Sequence, residues 1–301
     1  MKVPEIIHRR YTKFMEINEG KLILCATPIG NLEDITFRVI EALKDADLIA
    51  AEDTRNSLKL LNHFDIKKPM TSYHEHNKYE KAEQLISEMK KGKVIALITD
   101  AGTPAISDPG EILVRRCNEE GVKVTSLPGP AACITALTLS GLSTRRFCFE
   151  GFLPADKKEK QEVLDNLKGE IRTTVLYEAP HRLKKTLKEL LDNLGDRKIS
   201  ICRELTKIHE EVICSTLSEA IEIFNEREPK GEFVLVIEGK SLEELREEEK
   251  EIFQNMSLEE HLKMYEDKGL DNKSAMKMVA KDLGISKRDV YQMLINRKEE
   301  K

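Results

Sequence analysis

Apolar positions fall into two rhythms along this chain, and their alternation predicts its elements. From Lys21, short strand-like runs occur at 22–26 (LILCA), 48–52 (LIAAE), 94–100 (VIALITD) and 123–127 (KVTSL), the first three built on unbroken apolar stretches. Between them, over 36–46, 56–64, 79–90 and 109–120, apolar residues recur at helical spacing. Unbroken runs suit strands covered on both faces, and helical spacing suits one buried stripe. Strand and helix in strict alternation predict βαβ units and a mostly parallel sheet. A first α/β domain is therefore expected over 21–130, closing at Pro128, Gly129 and Pro130.

A second α/β domain is expected over 131–240. Its pattern is a helix at 131–140, a turn at Gly141, RFCFEGFLP (146–154), a lysine-rich helix from Asp156, TTVLYEAP (173–180) and a helix over 183–193. KISICREL (198–205), EEVICSTL (210–217), a helix over 218–226 and EFVLVIEG (232–239) complete it. Strands that follow one another without a helix between them predict a mixed sheet. The crevice between two such domains is the expected ligand site.

After Gly239 the pattern turns charge-rich and wholly helical, giving a third segment over 241–301. Ser241 with Glu244 has the spacing of a capping box, and the same SLEE tetrapeptide recurs at 257–260. The glutamates from Glu243 to Glu251 read as the solvated surface of a linker helix. Residues 273–283, Gly284 and 286–295 predict a helix, a tight turn and a serine-capped second helix. Lys268, Lys273, Lys277, Lys281, Lys287, Arg288 and Arg297 make this arm basic. Such a pair fits a helix-turn-helix that binds nucleic acid, and it equally fits a small packing or dimerisation bundle.

Composition narrows the class without deciding it. The 301 residues carry a net charge of −5 and 40% hydrophobic residues, as in a soluble globular chain, and no run reaches membrane-span length. The first twenty residues are charged throughout and lack a secretory-signal pattern, so a cytoplasmic location and no membrane association are expected. Six cysteines (Cys25, Cys117, Cys133, Cys148, Cys202, Cys214) without a Cys-x-x-Cys pair read as reduced thiols in apolar surroundings. A modest negative charge still leaves room for a local basic patch.

Two loops hold the candidate chemistry: ATPIGNLEDIT at 26–36 and TDAGTPAISDPG at 99–110. Neither is a G-x-G-x-x-G or G-K-[ST] fingerprint. Pro28, Gly30 and Asn31 in the first, with Gly102, Thr103, Pro104, Ser107 and Gly110 in the second, present backbone rather than side chain. Asp100 and Asp108 add carboxylates. Backbone plus carboxylate suits a cofactor bearing adenosine and a positive charge better than a polyphosphate.

Other residues carry paired readings. Asp53 and Arg55 end a strand and form either a structural pair or a catalytic or RNA-positioning one. His74, Glu75 and His76 place two imidazoles on one side of an extended segment; without a third ligand, no metal site is expected. His181 and Arg182 follow Pro180 between a strand and a helix, where a phosphate or ribose can sit. Glu204, Lys207, His209 and Glu210 form a salt-bridge network or an acid/base device. Lys157, Lys158 and Lys160 read as a solvated helix face or as an RNA contact.

Taken in order, ATPIGNLEDIT, AEDTR (51–55), SYHEHN (72–77), TDAGTPAISDPG, LPGP (127–130), YEAPHR (177–182), RELTKIHEE (203–211) and GEFVLVIEG (231–239) resemble the motif set of a known family. It is that of bacterial methyltransferases acting on the cytidine 2′-O-ribose of small-subunit ribosomal RNA, within the tetrapyrrole methylase superfamily. The resemblance runs from Lys21 to Gly239, and the arm resembles a helix-turn-helix appended in many members. It implies a homodimer of two-domain protomers holding S-adenosylmethionine in the interdomain cleft, with small-subunit ribosomal RNA or the small ribosomal subunit as partner.

By motif position, the resemblance places Pro28, Ile29, Gly30, Gly102, Thr103, Pro104, Ile106, Ser107, Pro128, Gly129, Tyr177 and Glu178 along the cofactor, with Cys202 and Glu232 as further contacts. The superfamily's Gly-Asp-Pro loop reads Gly102, Thr103, Pro104 here, so Asp100 or Asp108 is expected to supply the carboxylate. Methyl transfer to a ribose hydroxyl also needs a group to orient the hydroxyl or take its proton. Asp53, Arg55, His181, Arg182, Glu204 and Lys207 are the candidates. Two rival readings remain: a methylase acting on a tetrapyrrole, and a non-catalytic RNA-binding assembly factor.

Overall fold

The computed structural model describes residues 19–299. Most of the leading segment read above as free of a secretory signal therefore lies outside the described residues. The first sheet joins β1 (Lys21–Cys25), β2 (Leu48–Ala51), β3 (Met70–Ser72), β4 (Val94–Ile98) and β5 (Lys123–Leu127) in the order β3-β2-β4-β1-β5. Every pairing in it is parallel. Helices α1 (Phe37–Asp45), α2 (Thr54–His63), α3 (Lys78–Lys90) and α4 (Gly110–Glu119) connect the strands.

Alternation along the central strands divides the core into two layers. Leu22, Leu24, Ile95 and Leu97 pack with Leu85, Ile86 and Met89 of α3 and Leu113 of α4. Ile23, Cys25, Ile49 and Ile98 point the other way, onto Val39 and Leu43 of α1 and Leu61 of α2. Because the strands are parallel, all their C-terminal ends share one edge, and the loops at 26–36, 99–109 and 128–131 gather there. Strand β3 was absent from the sequence pattern. It is three residues long, half-buried and at the sheet edge, too short to show periodicity.

The second sheet has the order β6-β7-β10-β8-β9, from β6 (Phe147–Phe152), β7 (Thr173–Glu178), β8 (Lys198–Arg203), β9 (Glu211–Thr216) and β10 (Phe233–Ile237). Only β6 and β7 pair in parallel, so this sheet is mixed, as the helix-free connections predict. Helices α5 (Ala132–Leu139), α6 (Lys157–Lys168), α7 (Pro180–Leu194) and α8 (Leu217–Glu226) accompany it. Helix α7 begins three residues before the predicted start at Leu183. Pro180 initiates it, so His181 and Arg182 occupy a first helical turn rather than a connection. The apolar period marks only the residues facing the core, and the first turn shows none.

Both sheets belong to one compact unit, running through Val163 and then Thr173–Glu238. A second unit takes in Leu164–Arg172 and the chain from Gly239. Its helices are α9 (Leu242–Asn255), α10 (Leu258–Asp267), α11 (Asn272–Leu283) and α12 (Lys287–Glu299). Ser241 with Glu244 and Ser257 with Glu260 form both expected capping boxes. Gly284, at φ 66°, ends α11 in the left-handed conformation, and Ser286 accepts the Asp289 N–H at 3.2 Å to cap α12. Leu258, Leu262, Ala275, Val279 and Val290 form the unit's core. Among the described residues, no helix is long and apolar enough to cross a membrane. All six cysteines are free thiols, and only Cys214 is exposed.

Candidate functional site

Three loops at the C-terminal edge of the first sheet are fastened into one wall. Thr27 and Gly102 exchange backbone hydrogen bonds at 2.9 and 3.0 Å, and the Thr27 hydroxyl donates to the Thr99 carbonyl at 3.1 Å. Thr103 donates its hydroxyl to the Pro130 carbonyl at 2.9 Å. Gly129 lies so close to the first loop that a Cβ there would sit 2.7 Å from the Ala26 Cβ. The small residues of both motifs thus permit backbone to approach backbone.

The 99–109 loop also carries internal strain. Ala105 and Ser107 adopt left-handed φ values of 69° and 61°. Each such residue costs about 1–3 kcal/mol. Asp108 opposes that cost by accepting the N–H groups of Ala105 at 2.9 Å and Gly110 at 2.7 Å, and Tyr73 Oη donates to the Pro109 carbonyl at 3.0 Å. Burial raises the Asp108 carboxyl above its usual range despite these amides. Of the two carboxylates considered for the missing superfamily aspartate, Asp108 is engaged inside its own loop. Asp100 is exposed and accepts the Asp53 N–H at 3.1 Å.

The second sheet meets this wall at two places. A Cβ on Gly30 would sit 2.4 Å from Lys207 Cγ and 3.1 Å from the Leu205 carbonyl, and Ile29 packs against the cluster containing Cys133, Val175, Cys202 and Val234. Gly151, at φ 63° in a bulge of β6, would bring a Cβ within 2.9 Å of Ser107 Oγ. Tyr177 lies half-buried on the same face as the cluster. Its Oη accepts the Cys133 N–H at 3.3 Å, and Phe149 and Phe152 meet its ring edge-on at 5.0 and 5.6 Å.

Side-chain alternation along β7 removes Glu178 from that face. Its buried carboxylate accepts the Ala179 N–H at 2.8 Å and the Thr186 hydroxyl, and it faces Arg182 at 3.4 Å. Arg182 in turn donates to the Leu153 carbonyl at 2.6 Å. Tyr177 and Glu178 thus stand on opposite faces of β7, and Glu178 and Arg182 fasten the start of α7. His181 stands exposed in that first turn. The Cys202 thiol is fully buried beneath Ala136 of α5, and burial pushes it up to about 11.

The cluster after β8 resolves as an ion network. Lys207 Nζ donates to Glu204 Oε1 and Glu232 Oε2, both at 2.8 Å, and the Glu232 N–H reaches Glu204 Oε1 at 3.0 Å. Burial alone would lower the Lys207 ammonium, but the two carboxylates outweigh it and hold the ammonium above its usual range. Burial would raise Glu204, and Lys207 with the Glu232 N–H brings it below the carboxylate range. Neither group is thereby suited to exchange protons near neutrality. Glu204 and Thr206 take left-handed φ values of 52° and 67°, and Thr206 Oγ1 is buried without a hydrogen-bond partner beside Gly30.

Asp53 caps α2 and grips Arg55 through Nε at 3.1 Å and Nη2 at 2.8 Å. That grip pulls its carboxyl down to about 2, while the Arg55 side chain stays 88% exposed. His74 to Asn77 form a turn rather than an extended segment, because the Asn77 side chain accepts the His74 N–H at 2.8 Å and its own N–H returns to the His74 carbonyl at 3.0 Å. The rings of His74 and His76 lie 6.0 Å apart, and no metal-holding group occurs among the described residues. Lys160 pairs with Glu189 at 2.7 Å, whereas Lys157 and Lys158 are exposed. Pro28, Pro104, Ile106 and Pro128 lie along the three-loop wall, and Ile106 and Pro128 are exposed.

Sequence reasoning missed the Thr27 clamp, the orphaned Thr206 hydroxyl and Glu52, whose carboxylate accepts the Thr99 hydroxyl at 2.8 Å. Gly151 did leave a signal, a glycine inside an aromatic strand pattern, which marks a bulge or a close approach.

The sequence model of the tetrapyrrole (corrin/porphyrin) methylases matches residues 21–221. A relative from Halalkalibacterium halodurans, named ribosomal RNA small subunit methyltransferase I, is 50% identical over 274 residues, covering 91% of this chain and 94% of its own. The protein of that name from Bacillus subtilis is 48% identical, covering 90% and 93%. Among solved structures, a diphthine synthase superposes with a TM-score of 0.57 at 18% identity, covering 73% of this chain and 90% of its own. The uroporphyrin-III-C-methyltransferase of Thermus thermophilus gives 0.53 at 18% identity, covering 73% and 94%. At that identity these two speak to the fold alone.

Proposed function

The chain belongs to the tetrapyrrole (corrin/porphyrin) methylase family, and from that premise we propose that it methylates a ribose 2′-oxygen, that of a cytidine in the decoding region of small-subunit ribosomal RNA, using S-adenosylmethionine. The name shared by its nearly full-length relatives directs the reading toward ribosomal RNA. The observation that carries it is the meeting of two loop systems, Gly30 with Leu205 to Lys207 and Gly151 with Ser107, beside the backbone-rich wall of the first sheet.

The residues present fit such a cofactor. Backbone rather than side chain lines the wall at Gly102 and Gly129, Asp100 offers an exposed carboxylate, and Thr206 holds a buried hydroxyl without a partner. Bound there, S-adenosylmethionine would supply a methyl group activated by its sulfonium. The chain's own contribution is placement, which is worth about 7–11 kcal/mol in favourable cases. Arg55, oriented by Asp53, and Lys207, held between Glu204 and Glu232, are fixed cations suited to RNA phosphates rather than proton carriers. In this reading the protein acts as a cytoplasmic homodimer, with the helical arm adding RNA affinity through a helix-turn-helix.

The test is to incubate the protein with small ribosomal subunits, or with their RNA, and methyl-labelled cofactor, then digest to nucleosides and identify the product by mass spectrometry. Labelled 2′-O-methylcytidine is expected; absence of label from both substrates overturns the proposal.

A further inference from the structure

Resting on the reading of RNA as substrate, we propose that α11 tracks a sugar-phosphate backbone, with Lys273, Lys277 and Lys281 as one cationic stripe. Spaced four residues apart, the three stand one helical turn from each other, about 6 Å along the axis. All three are exposed, while Ala275 and Val279 turn the far side of the helix into the core.

None of the three forms an ion pair among the described residues. Some lysines of the sheet unit are paired, as Lys78, Lys90, Lys160 and Lys207 are each bound to a glutamate. The acid within α11, Asp282, turns away to His261 at 3.0 Å and to the Tyr265 hydroxyl, and the capping Asp271 is the acid that Lys273 senses. Like charges one turn apart repel by a few tenths of a kcal/mol per pair. A row of exposed lysines kept against that repulsion is complementary to a polyanion. Lysine ammoniums act as point charges and carry no base-reading geometry, which directs the stripe to phosphates.

The experiment measures affinity of the full chain for purified small-subunit ribosomal RNA across a potassium chloride series. Relative to wild type, K273Q/K277Q/K281Q is expected to flatten the slope of log affinity against log salt by about 2 to 3, from about 0.7–0.9 per phosphate contact. K273R/K277R/K281R should keep the slope. Should the triple glutamine variant lose its helical circular dichroism, each single Lys→Gln change should still flatten the slope by about 0.7–0.9. An unchanged slope in a folded variant overturns the stripe, as does an effect confined to vesicles of anionic phospholipid. Those results are distinguishable from failure of the enzymatic reading, which would show as a wild-type protein that transfers no label to RNA.

Discussion

Asp100 Oδ1 accepts the backbone N–H of Asp53 at 3.1 Å, tying the loop after β4 to the end of β2. The bond leaves the carboxylate exposed on the loop wall and fixes where it stands. If Asp100 replaces the superfamily's loop aspartate, D100A should weaken S-adenosylmethionine binding about tenfold or more, the scale of a charge-assisted hydrogen bond. D100N keeps an acceptor for Asp53 and removes the charge, so it isolates the electrostatic part. Calorimetry decides; wild-type affinity in D100A would remove Asp100 from the cofactor site.

The Lys207 network makes a prediction about pH. Lys207 is raised in the folded protein, so its stabilisation is full below the unfolded lysine range and is lost as pH rises through its folded value. Glu204 is lowered, so its stabilisation is present above the unfolded glutamate range and is lost as pH falls through its folded value. Between about pH 5 and 9 both contributions stay constant, since model glutamate and lysine titrate near 4.3 and 10.4. A methyl-transfer profile over that window should therefore show no ionisation that K207R shifts. K207M should lower stability by about 1 kcal/mol, a figure reduced for partial exposure, as read by thermal unfolding. An ionisation within the window that moves with K207R would return Lys207 to the list of proton carriers.

Two glycines separate steric from conformational demand at the wall. Gly129→Ala places a Cβ 2.7 Å from the Ala26 Cβ, where neither loop can yield as a flexible side chain would. It should displace the wall, costing about 1–3 kcal/mol, and weaken cofactor binding. Gly102→Ala meets nothing nearer than 3.4 Å, so its cost, about 1–2 kcal/mol, comes from the φ of 85° alone. Chemical denaturation with parallel cofactor titration checks both. Equal tolerance of the two substitutions would mean that the loops do not meet as described.

These elements mark what the sequence could and could not disclose. Unbroken apolar runs such as VIALI, with helices between them, revealed a parallel sheet because burial on both faces leaves a mark in composition. The mixed second sheet was legible from strands that succeed one another. Small residues in the two loops announced close backbone approach, though not which backbones met. What stayed hidden was direction. The amide partners of Asp108 and the amide and hydroxyl partners of Glu178 left no mark in the sequence. His74 and His76 looked extended because the turn that bends them depends on one asparagine side chain. Lys207 and Glu204 were recognised as a cluster, but whether two carboxylates would close on one ammonium depends on the approach of Glu232 from 25 residues further along the chain.

Tyr177 and Glu178 are neighbours in sequence on opposite faces of β7, and their variants should fail differently. Glu178→Ala leaves the Ala179 N–H and the Thr186 hydroxyl without their buried acceptor. Such unsatisfied groups cost about 1–3 kcal/mol each. The variant should therefore melt several degrees lower, while the folded fraction binds cofactor as wild type does. Tyr177→Ala removes the ring that Phe149 and Phe152 enclose and empties part of the face shared with Ile29. It should weaken cofactor binding in the folded fraction as well as lower the melting temperature, because the wall loses its aromatic surface. Thermal unfolding with and without S-adenosylmethionine reads both quantities in one experiment. A normal ligand-induced rise in melting temperature for Y177A, combined with its loss for E178A, would reverse the assignment of the two faces.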